Sequence, residues 1–187
     1  MGLTKDELDE LRAFKENPDD DNIRIKEIIK KELYEDRKII HVLNNKTLDE
    51  DCPDEYIWKN IFPCYIIPGV ITGVENYICF ETELSETSSR NKIMKYGHII
   101  FYVLCDEKNI IDKETGLSRH DLLAALIKKR FNWRNCFGQQ IHVVDEKSSV
   151  VDNDYALRTL VFEMVTTNSI LNTDHGKTTV INNLAVK

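Results

Sequence analysis

The sequence predicts an α+β domain: an antiparallel sheet of about four strands, with a helix between strands 2 and 3 packed on it and further helices at the N-terminus. Three observations carry that expectation. From Tyr65 onward the apolar residues follow the two-residue period of strands. A single well-patterned helix, opening at Ser118, interrupts those strands. Before Tyr65 the apolar residues recur at helical spacing instead. The 187 residues suit one domain with appendages, large enough to bury roughly 70% of the extended-chain surface without staples.

The elements follow in chain order. Residues 4–16 form an amphipathic helix, with Thr4 as cap, Glu7 in the capping-box position, and Leu8, Leu11 and Phe14 along one face. Asn17-Pro18 ends it, because a residue before proline disfavours helical geometry. Asp19, Asp20, Asp21 and Asn22 offer cap oxygens to a second helix over about residues 22–35, whose Ile25, Ile28, Ile29 and Leu33 keep the helical spacing. An apolar patch from Ile39 to Leu43, a polar stretch from Asn44 to Glu55, and Trp58, Ile61 and Phe62 before Pro63 complete a helical and loop-rich preamble.

The strands come next. Tyr65–Ile67 is a short apolar piece ended by Pro68-Gly69, a turn signal. Tyr77–Leu84 alternates, with Ile78, Phe80, Thr82 and Leu84 opposite Cys79, Glu81 and Glu83. Tyr96–Cys105 is apolar on both faces, the mark of a central strand covered on two sides. In the helix after it, Ser118 and Asp121 make an S-x-x-D capping pattern. Leu122, Leu123, Leu126, Ile127 and Phe131 form its buried stripe, and Lys128, Lys129 and Arg130 suit its negative C-terminal end. Gln140–Val144 and Asp154–Thr167 are two further strands, and Thr178–Leu184 a final candidate. The expected organisation is an acidic helical extension over residues 1–62, an α+β core over 63–167, and a C-terminal tail or arm over 168–187.

Charge is unevenly placed. Residues 1–56 hold 10 Lys+Arg and 17 Asp+Glu, a balance of -7, while residues 57–187 hold 15 of each. An acidic front on a neutral body argues against general binding to a phosphate backbone, which needs a basic surface. It fits a solvated helical face, or an appendage that docks on a basic partner. The five cysteines, Cys52, Cys64, Cys79, Cys105 and Cys136, have long irregular gaps and form no CxxC pair. They are expected as free thiols, in keeping with synthesis in a reducing cytoplasm. No apolar run approaches the roughly 20 residues of a membrane span, and the N-terminus shows no secretory pattern.

Signatures of catalysis are sparse. His175-Gly176-Lys177-Thr178 resembles half of a phosphate loop, but Leu171 stands where the loop needs glycine. Arg119-His120-Asp121 is explained by capping, with His120 expected in an exposed first turn. No nucleophile elbow or HExxH pair accompanies it. Asp19-Asp20-Asp21 lacks the glycine of a calcium loop. The expectation is therefore no catalytic residue, no cofactor and no metal. The basic and aromatic cluster is Lys128, Lys129, Arg130 and Arg134, with Phe131 and Trp133 among them. Beyond serving the helix dipole, it is a candidate contact for DNA or an acidic partner surface.

The segment from Ile61 to Thr166 resembles the neck and tail-completion proteins of tailed bacteriophages. The features that match, in order, are IFPCYIIPG, YICFETEL, KYGHIIFYVLC, GLSRHDLLAALIKKRFNW, GQQIHVV and DNDYALRTLVFEMVTTN. They cover a little over half the chain, as a profile of order and spacing. The resemblance implies a non-catalytic α+β subunit of the virion, assembled in the host cytoplasm. Such a subunit forms a ring, commonly a hexamer, between the portal or its connector and the tail proteins, with genomic DNA passing through the lumen and no membrane involved. Leu8, Leu11 and Phe14 are then candidates for an inter-subunit arm, and Lys128, Lys129, Arg130 and Arg134 for the channel. The alternative is an acidic, non-catalytic adaptor or inhibitor of a mobile element that binds a basic protein.

Overall fold

A computed structural model describes residues 2–15, 21–66, 76–87, 94–151 and 155–167. Within them the helices are α1 (Lys5–Ala13), α2 (Asp21–Tyr34), α3 (Arg37–Leu43) and α4 (Arg119–Phe131). The strands are β1 (Ile61–Phe62), β2 (Asn76–Thr87), β3 (Met94–Asp106), β4 (Ile141–Val151) and β5 (Tyr155–Thr167). They make a five-stranded sheet in the order β1-β2-β3-β5-β4. Every pairing is antiparallel except the short β1-β2 contact, which is parallel. The architecture is α+β as the sequence predicts, with one strand more than expected. That strand, β1, has only two residues, and its Ile61-Phe62 lacks the length that makes a period visible.

Local chemistry sets the helix boundaries. Thr4 caps α1 in a complete box: its N–H donates to Glu7 Oε2 at 2.7 Å, and the Glu7 N–H donates to Thr4 Oγ1 at 3.3 Å. Asp36 caps α3 by accepting from the Lys38 N–H, and Asn44 ends it in the left-handed conformation that asparagine tolerates. Ser118 is the N-cap residue of α4, but not by the expected bond. Its hydroxyl donates to Asp121 instead of accepting a backbone N–H.

The core lies between one face of the sheet and the helices. Ile78 and Phe80 of β2, Ile99, Phe101 and Val103 of β3, and Leu160, Phe162 and Met164 of β5 line the sheet side. Phe101 sits at the centre, with ring centroids 6.0 Å from Phe80, 5.2 Å from Phe131 and 5.6 Å from Phe162. A smaller cluster of Phe62, Tyr77, Cys79, Leu104 and Leu157 covers part of the opposite face. β3 is thus central, as its doubly apolar pattern predicts, although the second layer covers only its Cys105 end.

Two expectations need correction. Ile25, Ile29 and Leu33 of α2, and Ile39, Ile40 and Leu43 of α3, belong to the same core as the sheet. Residues 21–62 are therefore not an extension; a boundary at 62 would cut through packed side chains. The acidic balance of that segment reflects the solvent side of its helices, which says nothing of their buried side. In α4 the buried residues are Leu123, Ala124, Ile127 and Phe131, together with Arg119 and His120, while Leu122 and Leu126 are half-buried at the edge of the core. The Pro18 helix stop, the Pro68-Gly69 turn, the His175-Gly176-Lys177-Thr178 motif and the strand candidate at Thr178–Leu184 lie outside the described residues.

Candidate interaction surfaces

Arg119, His120 and Asp121 each have a structural task. Arg119 is buried, with Nη2 3.0 Å from Asp112 Oδ1 and Nη1 donating to the Val42 carbonyl at 3.2 Å. Asp112 also accepts from the Thr115 hydroxyl at 2.6 Å and the Thr115 N–H at 3.0 Å. The Thr115 bonds, and then Arg119, hold its carboxyl below the usual carboxylate range. This ties the start of α4 to the end of α3 and to the loop that leads from β3 into α4. His120 is 8% exposed, not in an exposed turn as expected, and burial pushes its pKa down. Asp121 binds the guanidinium of Arg158 on β5. These groups support the packing of α4, and sequence adjacency gave no sign of it.

Beside the Asp112–Arg119 pair is a polar hollow of about 230 Å³ lined by His41, Asn44, Asn109, Lys113 and Glu114. His41 Nδ1 lies 3.0 Å from Glu50 and its Nε2 3.3 Å from Glu114. The Glu50 hydrogen bond, aided by Glu114, raises its pKa. Among the described residues no three His, Cys, Asp or Glu side chains converge on a metal position. All five cysteines are free; burial pushes the Cys79 thiol up to about 11 and raises Cys105 as well.

The basic cluster is only partly a cluster. Lys128 reaches across to Glu146 on β4 at 2.7 Å. Arg130 lies 2.5 Å from Glu32 of α2, and Arg134 approaches the same carboxylate at 3.9 Å. Lys129, Arg130 and Arg134 line a hollow of about 190 Å³ with Leu126, Asp36 and Lys38. Lys38 was missed from the sequence because it arrives from α3, far away in the chain. With Glu32 and Asp36 present, the four cations leave a net charge near +2. That fits a single phosphate or carboxylate group, and falls well short of the roughly 6–10 phosphate contacts of firm duplex binding.

Two apolar features face solvent. In α1 no residue is buried, and Leu8, Leu11 and Phe14 are 39%, 55% and 42% exposed. At the edges of the sheet stand Trp58 and Trp133, 60% and 63% exposed, both with a left-handed backbone (φ 65° and 61°). Bulky residues seldom adopt that conformation, and it costs them about 1–2 kcal/mol. Each tryptophan donates its N–H to an edge strand: Trp58 to Ile61 of β1 at 2.9 Å, Trp133 to Ile141 of β4 at 2.7 Å. The Trp133 ring stacks on His142, with centroids 5.0 Å apart. The sequence marks Trp133 only as a member of the basic cluster and Trp58 only as an apolar residue. Among the described residues no helix is long and apolar enough to cross a membrane.

The family model described as YomW matches residues 29–164, from the middle of α2 to Met164 of β5. No curated protein matches the chain.

Proposed function

The chain belongs to the YomW family, a phage-related family, and from that premise we propose that it is a structural subunit of the phage neck. In this reading it is a ring-forming head-tail joining or tail-completion protein, set between portal-connector and tail around the DNA channel. The observation that carries the reading is a sheet whose two edges are unlike and, among the described residues, are not paired with any further strand. One edge is β4, whose Ile141–Val143 end is bonded by Trp133 and Asn132 and whose Val144 and Val150 side chains are exposed. The other is β2, on which the two-residue β1 pairs only with Ile78 and Cys79. Open edges invite aggregation unless something covers them. Unlike edges make head-to-tail contacts, which close into a ring when the rotation permits. An exposed tryptophan beside each edge is the kind of side chain that anchors such contacts.

The cluster of Lys129, Arg130 and Arg134 supports a lumen that touches DNA lightly, since Glu32 pairs with both arginines. The acidic balance of residues 1–56 favours a second reading, an adaptor bound one-to-one to a basic protein. Native mass spectrometry of the full chain, alone and with portal and tail proteins, separates the two. The expected result is a closed ring, six-fold in the commonest arrangement, together with the chain's presence in purified particles. A protein that stays monomeric beside those partners and is absent from particles overturns the neck reading. A stable one-to-one complex with a basic protein establishes the adaptor.

A further inference from the structure

Between α2 and Ile57 runs a groove of about 360 Å³ lined by Glu27, Ile28, Lys30, Lys31, Tyr34 and Ile57. Ile28, Tyr34 and Ile57 are half-buried against the core and form its apolar floor. Lys31 keeps 64% of its side chain in solvent and reaches Glu35 only at 3.7 Å. On the same chain, α1 is a capped helix that buries none of its residues against the described part of the chain. Its nine residues fall below the roughly 12–15 at which an isolated helix is even marginal in water. Its apolar face of Leu8, Leu11 and Phe14 is exposed, and Asp6, Glu7, Asp9 and Glu10 outnumber Lys5 and Arg12. The groove and the helix are complementary: apolar floor faces apolar face, and, with Lys30 held by Glu27 at 2.5 Å, Lys31 is the rim cation that meets the acidic flank.

We propose that α1 of one subunit docks in the α2–Ile57 groove of the next, as an exchanged arm of the ring. This assignment rests on the neck reading, since it takes the occupant to be a second copy of the chain. Both halves of the contact are present on each copy, on different surfaces, which is the condition for a heterologous interface that propagates round a ring. In its own subunit α1 leaves the groove open and no residue of the helix is buried.

The test uses full-length Leu11→Cys and Ile28→Cys proteins, purified separately, mixed, and oxidised. Disulfide-linked peptides are then mapped by mass spectrometry, which also identifies any link made by the native cysteines. The expected product joins position 11 of one chain to position 28 of another. Adding Leu8→Asp to the arm, or Lys31→Glu to the groove, should lower its yield at least tenfold, with circular dichroism unchanged. Lys31→Cys at the exposed rim replaces Ile28→Cys if the latter perturbs folding. Rings seen by native mass spectrometry without this inter-chain link overturn the arm assignment and leave the neck reading standing. A link formed only within single chains of the double variant Leu11→Cys/Ile28→Cys places the helix on its own subunit and likewise overturns it. A protein that forms no link, stays monomeric beside portal and tail proteins and is absent from particles overturns both.

Discussion

Asp112 and Arg119 are a buried ion pair in which each partner also holds neutral groups, Thr115 on one side and the Val42 carbonyl on the other. Removing one member leaves the other charge buried without its counterpart. Asp112→Asn should therefore cost about 3 kcal/mol in urea unfolding, even though the residue lies in a loop. His41 makes a gentler, pH-dependent contribution. Its pKa is raised in the folded state, so the imidazolium's attraction to Glu50 and Glu114 is fully present below the unfolded value of 6.5. That stabilisation is lost as pH rises through the higher folded value. His41→Gln should thus lower the melting temperature at pH 6 and have less effect at pH 9. Equal losses at both pH values would mean that the ring matters for packing and its charge does not.

Among the elements, α4 offers the sharpest contrast. Ile127 is fully buried and Leu126 is only partly so. Ile127→Ala should cost about 2–5 kcal/mol, and Leu126→Ala clearly less, because a half-exposed site loses less contact and leaves no closed cavity. Helical spacing puts Leu122, Leu123, Leu126, Ile127 and Phe131 on one stripe, since a 3.6-residue period marks the centre of a buried face better than its margins. The same limit explains other differences. The alternation of β2 and the doubly apolar β3 were legible because many residues repeat one pattern. β1 was not, with two residues and a parallel partner distant in sequence. The Ser118-x-x-Asp121 spacing did mark the start of α4, yet Arg158 from β5 recruits Asp121 and diverts the serine. No local pattern encodes that. Likewise, the basic residues of the candidate channel stand close together in the sequence, but Glu32 and Glu146, which neutralise part of it, come from α2 and β4.

At the scale of the molecule, α1 and the body are energetically separate. Deleting residues 1–17 should leave the melting temperature nearly unchanged, since no described residue of that segment is buried, while ring formation or docking weakens. Loss of fold on truncation would show α1 to be part of the core. The free protein should bind duplex DNA feebly, with its net charge of -7; tight binding that resists salt would contradict both the charge distribution and the neck reading. The edge tryptophans bear on how any of this can be observed. They are the chain's two tryptophans, and both meet water in the single subunit. Their emission should therefore shift little when the subunit unfolds, so fluorescence would underreport denaturation that circular dichroism detects. It should shift to shorter wavelength when copies meet edge to edge. The chain thus carries an intrinsic optical probe that is nearly silent to folding and responsive to assembly.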